Sequence, residues 1–237
     1  MSTFLLVHGA WHGAWCYTRV AKLLRNLGHD VYTPTLTGVG ERHHLKGQLI
    51  NLDTHIHDVV NVILSEDLSD IVLCGHSYGG MVITGVAGRV GQRVKSLVYL
   101  DAFVPENGQS VLDIVGSETA AQFTTQVGQA DGHCVPPIPA AAFGVNAADA
   151  PWVDKMCVPQ PFSTLIQKYH YTGEEKLVSK RTYVQATGYD LHAFDDTVAK
   201  LKQRDDWKMR TLSCGHDMML DMPDSLCAIL LEELVSG

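Results

Sequence analysis

Gly75-His76-Ser77-Tyr78-Gly79 is the arrangement in this chain that reads most directly as chemistry. A serine flanked two residues away on each side by glycine fits a tight turn that pushes a hydroxyl out of the backbone. The glycines remove the Cβ atoms that would keep strand and helix apart. The context agrees, because Ile71-Val72-Leu73-Cys74 precedes the motif and Gly80-Met81-Val82-Ile83 follows it, giving strand, turn and helix in order. At the start of that helix, backbone N–H groups and the helix dipole favour developing negative charge. Ser77 is the candidate nucleophile for attack on a carbonyl. The bland alternative, a serine in an ordinary glycine turn, does not account for the flanking strand and helix.

A serine hydroxyl is a weak nucleophile and needs a base oriented by an acid. For a serine on this kind of elbow, the base follows in the chain after the acid, on the loop beyond the last strand. Cys214-Gly215-His216-Asp217 occupies that loop, which makes His216 the candidate base. Two aspartates compete for the acid. Asp101 ends the strand expected at 96–100, where a rigid strand end orients a side chain firmly. Asp190, in Thr187-Gly188-Tyr189-Asp190, follows the fifth strand, which is the more usual placement. Asp101 is slightly favoured and Asp190 stands as the alternative acid. Attack also creates an oxyanion that needs preorganised donors. Tyr78 N–H is one candidate, and Ala10 N–H, in His8-Gly9-Ala10-Trp11 after the first strand, is the other, with the His8 ring bracing that loop.

Positioning these groups requires a sheet. Apolar runs at 4–7, 31–33, 71–74, 96–100, 182–186 and 209–214 alternate with helical periodicities. Val20, Leu23, Leu24 and Leu27 recur at helical spacing and stop at Gly28. Ile56, Val59, Val60, Ile63 and Leu64 mark a second amphipathic helix, with Asn51 or Asp53 as its cap. Leu226, Ile229, Leu230 and Leu234 mark the last helix, with Pro223 in its first turn. The expected fold is α/β, with about six mostly parallel strands flanked by helices. Residues 105–180 break the rhythm. Rich in proline, aromatics and methionine, they are expected to form a small helical insertion capping a pocket.

The chain has 237 residues, which fits a single domain spanning 1–237 with that insertion, and a formal net charge of −8. An acidic chain without a basic run is a poor partner for nucleic acid or an anionic membrane. The start of the sequence shows neither a signal peptide nor a long apolar span, and the six cysteines show no C-x-x-C pairing. These features point to a cytoplasmic protein. His43-His44 and His55-x-His57 do not have metal-ligand spacing, and no complete nucleotide loop is present, so neither metal nor cofactor is expected.

His8-Gly9-Ala10-Trp11-His12-Gly13-Ala14-Trp15, the Ser77 elbow and Gly215-His216-Asp217 together resemble the α/β-hydrolase superfamily. In particular they are similar to its branch of plant methylesterases and hydroxynitrile lyases. Thr37-Gly38-Val39-Gly40-Glu41-Arg42 and Tyr99-Leu100-Asp101-Ala102-Phe103-Val104-Pro105 look closer still to bacterial esterases of that branch. Among those are pyrethroid hydrolases and carbendazim (benzimidazole carbamate) hydrolase. The resemblance implies a serine hydrolase of carboxylesterase type, acting on a small neutral hydrophobic ester or carbamate, and a homodimer. It places the acid normally in the Asp190 region. Two departures disfavour the lyase alternative: the lyases carry a lysine where this chain has Asp217, and a threonine hydroxyl where it has Gly9. A non-catalytic small-ligand receptor on the same scaffold is the alternative from a different class.

Overall fold

The apolar runs become strands. The computed structural model describes residues 1–46, 49–130, 132–190 and 193–235. It contains β1 (Thr3–Val7), β2 (Asp30–Tyr32), β3 (Ile71–His76), β4 (Val94–Leu100), β5 (Cys134–Val135), β6 (Gln160–Pro161), β7 (Arg181–Ala186) and β8 (Lys208–Leu212). Six of these form one parallel sheet in the order β2-β1-β3-β4-β7-β8, and β5 pairs with β6 as a separate antiparallel ribbon. All six residues of β3 are buried, as an unbroken apolar run predicts for a strand covered on both faces. The last strand stops at Leu212, short of the expected Cys214. There the ladder with β7 gives way to loop bonds, Gly188 N–H donating to Cys214 O at 2.8 Å.

From β1 the chain steps to one side to form β2, then returns to the other side of β1 for β3, β4, β7 and β8. Right-handed crossovers therefore put α1 (Thr18–Asn26) on one face, and α2 (Leu52–Ser65) and α3 (Gly79–Val90) on the opposite face. Consistently, α1 packs with α9 (Pro223–Glu232), and α2 with α3. Asn51, not Asp53, caps α2: its side chain accepts Thr54 N–H while Thr54 Oγ1 accepts Asn51 N–H. The strand order reverses beside β1, and an open parallel sheet binds ligands at the carboxyl ends of the strands flanking such a switch. Those strands are β1 and β3, which carry the Ala10 loop and Ser77.

Residues 101–180 run between β4 and β7. They hold α4 (Val111–Gln129), α5 (Ala150–Met156), α6 (Ser163–Ile166) and the β5–β6 ribbon. Ser110 and Asp113 form a reciprocal box at the start of α4. Two helical segments of α4 meet at Gly116, where φ is 82° and ψ 165°. The short helices α7 (Asp195–Leu201) and α8 (Met218–Asp221) complete the set. Among the described residues no helix is long and apolar enough to cross a membrane.

Candidate active site

Because the sheet is parallel, the loops after β1, β3, β4, β7 and β8 all emerge at one edge. Ser77 follows β3 directly and sits at φ 53°, a left-handed conformation that costs a non-glycine residue about 1–3 kcal/mol. Three backbone bonds hold it there: Ser77 N–H to Leu100 O at 3.1 Å, Gly80 N–H to Ser77 O at 3.0 Å and Phe103 N–H to Ser77 O at 3.1 Å. The flanking glycine is sterically required. A Cβ on Gly79 would lie 2.7 Å from Val7 O, so only glycine lets the elbow close against β1.

His216 Nδ1 lies 2.8 Å from Asp101 Oδ2 and donates to it. Asp101 is buried just past β4 at φ 43°, fixed by its own N–H on Val184 O at 2.8 Å. Ala186 N–H donates to Asp101 Oδ1 at 3.2 Å, and the Tyr189 hydroxyl donates to Oδ2. Asp190 is exposed and stands apart from this cluster. Of the two candidate acids, the structure thus brings Asp101 to the histidine. The residue that sequence reasoning missed is Tyr189, whose hydroxyl lies 3.3 Å from His216 Nδ1. Its place in the loop proposed for the acid was the available signal. Ser77 and His216 line the same cavity, and among the described residues no hydrogen bond joins them. In unliganded enzymes that bond is often loose and tightens only with substrate.

Ala10 and Tyr78 line the cavity beside Ser77, and among the described residues neither backbone N–H donates a hydrogen bond. The loop carrying Ala10 is braced from several sides. His8 Nδ1 donates to Gly9 O at 2.8 Å, on the peptide that bears Ala10 N–H, while His8 Nε2 accepts Leu36 N–H at 3.1 Å. Burial pushes the His8 pKa down to about 3, which keeps this ring neutral. Trp11, at φ 65°, is tied to the insertion: its N–H donates to Gln160 Oε1 at 3.1 Å and its Nε1–H to Val135 O at 3.0 Å. A Cβ at Gly9 would approach His76 Nδ1 to 2.9 Å and Ser77 Cβ to 3.0 Å. The threonine of the lyases has no room at that position.

Beneath the loops lies a second cluster that the sequence did not announce. His12 Nε2 donates to Asp217 Oδ2 at 3.0 Å, and His12 Nδ1 donates to Ala10 O at 2.7 Å. Two pure acceptors demand two N–H groups, so His12 is an imidazolium. Burial opposes that charge, but the Asp217 carboxylate and the Ala10 carbonyl outweigh it and raise the pKa. Burial likewise opposes the charge on Asp217, and His12 overcomes it, holding the carboxyl well below its usual range. His76 donates from Nε2 to His216 O at 3.1 Å, and burial, then the neighbouring His216, push its pKa far down. The His76 and His216 rings lie 4.4 Å apart.

The cavity over Ser77 measures about 600 Å³. Phe103, Phe143 and Phe194 wall it near the histidine, with Phe123, Ile138 and Leu165 from the insertion above. Thr119, Gln122 and Gln126 supply polar groups, and among the described residues no Asp, Glu, Lys or Arg lines it. The insertion also grips His216, whose N–H donates to Phe143 O at 2.8 Å.

A family model for the alpha/beta hydrolase family matches residues 4–229. The chain belongs to that family. This hydrolase is similar to a carbendazim hydrolyzing esterase from Nocardioides sp. (strain SG-4G), with 46% identity over 234 residues, 95% of this chain and 97% of that one. Among solved structures it resembles an extracellular alpha/beta-hydrolase from a Paenibacillus species, with a TM-score of 0.86 and 26% identity over 98% of this chain and 99% of that one. A pyrethroid hydrolase from Sphingobium faniae JZ-2 shares the fold, with a TM-score of 0.79 and 19% identity over 98% and 96% of the two chains. The hydrolase is an esterase-type member of the family.

Proposed function

We propose that the hydrolase cleaves small, neutral, hydrophobic carboxylic esters or carbamates through an acyl-enzyme on Ser77. One observation carries this reading: Ser77 and His216 face one largely apolar cavity, with Asp101 hydrogen-bonded behind the imidazole. His216 Nε2 takes the Ser77 proton as Oγ bonds to the carbonyl carbon, and Ala10 and Tyr78 N–H groups hold the oxyanion. Collapse breaks the bond to the leaving oxygen or nitrogen, and His216 gives up its proton to the departing group. Water, deprotonated by His216, then releases the acyl group and restores Ser77. Asp101 keeps the imidazole in the tautomer with hydrogen on Nδ1 and stabilises the imidazolium.

The substrate class follows from the walls. A cavity of about 600 Å³ suits a drug-sized molecule, and the absence of charged side chains among the described lining residues favours an uncharged one. The Nocardioides relative is named for hydrolysing carbendazim, and by that likeness a methyl carbamate on a planar aromatic nucleus heads the candidates. In this reading residues 105–180 act as a cap on one hydrolase domain spanning 1–237. The test compares wild type and Ser77→Ala on p-nitrophenyl acetate and on methyl benzimidazol-2-ylcarbamate. Ser77→Ala is expected to lose turnover of both while its circular dichroism spectrum stays unchanged. Undiminished turnover in a folded Ser77→Ala protein rejects the mechanism.

A further inference from the structure

Asp101 is a buried carboxylate with three donors: Ala186 N–H on Oδ1, and His216 Nδ1–H and the Tyr189 hydroxyl together on Oδ2. The amide belongs to the sheet edge, whereas the hydroxyl is a side-chain group that competes with the imidazole for the same oxygen. We propose that Tyr189 is a positioning residue of the reaction: its hydroxyl holds Asp101 Oδ2 in line with His216 Nδ1 and, by drawing charge from that oxygen, sets the pH at which His216 becomes available as base. The inference rests on the Ser77–His216–Asp101 reading above.

A hydrogen bond donated to a carboxylate spreads its charge, so less remains to stabilise a neighbouring imidazolium. Tyr189 stays a donor because burial and then the charge of Asp101 push its pKa far above that of an ordinary phenol. The loop after β7 therefore still reaches the imidazole, but it contributes a donor to the acid while Asp190 faces solvent. The other titratable groups around His216 come from separate elements. His76 lies under the ring at the end of β3. Asp217 follows in the chain, with its partner His12 from the loop after β1. Behind Asp101 stands Tyr183 of β7, and Asp221 of α8 accepts Gly215 N–H at 3.1 Å. None of these hydrogen-bonds to the oxygen shared by Tyr189 and His216. A polar cavity of about 220 Å³, lined in part by Asp101, Tyr189, Gln185, Thr187 and the carboxylate-bearing Asp195 of α7, reaches the back of the acid. Tyr189 thus sits where it decides how Asp101 is solvated.

The experiment is a pH–rate profile of kcat/KM with p-nitrophenyl acetate for wild type, Tyr189→Phe, Asp190→Asn and Ser77→Ala. Tyr189→Phe is expected to move the acidic limb upward by about 0.5–1 pH unit, because the freed carboxylate stabilises the imidazolium more strongly. Its plateau kcat falls several-fold with KM nearly unchanged, and Asp190→Asn follows the wild-type profile. Incorporation of 3-fluorotyrosine at position 189 keeps the shape and strengthens the donor. It moves the limb downward, a readout that survives even where the phenylalanine variant fails to fold. The titration of the His216 ring, followed by NMR, should move in the same directions without reference to turnover. A limb and a His216 titration unmoved by either change overturn the inference. Turnover retained by Ser77→Ala would instead overturn the underlying mechanism, so the two failures are distinguishable.

Discussion

α3, which starts directly after the cavity-lining Ser77 and Tyr78, and α4, which lines the same cavity from above, are built on opposite terms. Eleven of the twelve residues of α3 are buried, against three of the nineteen in α4. α3 starts at the elbow and is pinned against the sheet. α4 carries the upper wall of the cavity, is mostly exposed, and is interrupted at Gly116. The same contrast runs through the backbone. Ser77, Asp101 and Trp11 all hold left-handed conformations at the sheet edge, and each is fixed by hydrogen bonds to neighbouring segments. Strain of this kind persists only where the surroundings over-determine it. The sheet edge can therefore hold reacting groups in fixed geometry, while the insertion has the freedom to shape what enters. At the sheet edge itself the insertion is joined through Trp11, on Gln160, Val135 and Val158, and through His216, on Phe143.

The sharpest way to break this contrast is through the acid. Asp101→Asn presents an amide where His216 Nδ1–H needs an acceptor of full charge, and the imidazole is free to adopt the wrong tautomer. A loss in kcat of about 10⁴-fold is expected, as for the equivalent change in serine proteases. Asp190→Asn, on the exposed loop, should leave kcat at the wild-type level. Steady-state kinetics on one ester suffice. If Asp190→Asn carried the large loss, the acid would lie on the exposed loop after β7 and not at the buried strand end, and the rigid-edge account would fail.

How much of this was legible in the sequence differs between the two regions for the same physical reason. The strands and the elbow were readable because burial on both faces forces unbroken apolar runs, and because Gly79 has no alternative beside Val7 O. Asn51 as the α2 cap, Pro223 at the start of α9 and the stop at Gly28 follow local rules that tertiary context did not override. The choice between Asp101 and Asp190 stayed open because it depends on a meeting across 115 residues of chain, which no local pattern encodes. The Tyr189 hydroxyl and the His12–Asp217 pair were invisible for the same reason. Within the insertion, its existence and helical content were readable from proline and aromatic composition. The interruption of α4 was not, since a lone glycine in a helical pattern is ordinarily tolerated.

Acidification tests the rigid region at a lower magnitude. His8, His55 and His76 are buried around the elbow with pKa values pushed down by burial, His8 to about 3 and His55 to about 4. Depressed values of this kind give stability that is present above the unfolded value near 6.5 and lost as pH falls toward the folded one. Each such histidine then costs about 2 kcal/mol between neutrality and about pH 5. Asp217 does not offset this, because its lowered value contributes fully above 3.8 and is constant across the window. The raised value of His12 contributes fully only below 6.5, so it returns a minor part of the loss near neutrality and nothing further below. His133 and His170, in the insertion, are exposed. Urea midpoints should therefore fall steadily on going from neutral to mildly acidic buffer. A midpoint that held or rose would mean that the histidines around the elbow are not confined as neutral rings.

The smallest effect is expected at Gly116, and it probes the other side of the comparison. Its φ of 82° and ψ of 165° lie in a region open almost only to glycine, and no heavy atom stands within 4 Å of where a Cβ would be. Gly116→Ala therefore causes no clash, and its cost is backbone strain of about 1–3 kcal/mol. Against this, alanine gains up to about 1 kcal/mol over glycine once the residue joins a regular helix. The two terms nearly cancel if α4 straightens, and the melting temperature then shifts by only a few degrees. Straightening would re-aim Val111 and Val115, which precede the break, against Thr119, Gln122 and Phe123, which follow it, and all five line the cavity. The change should appear in KM and in the ratio of bulky to small esters cleaved, with kcat on p-nitrophenyl acetate retained, because the sheet edge does not move. A drop in kcat on the small ester with KM unchanged would show that the insertion reaches the chemistry itself, through the bond from His216 to Phe143.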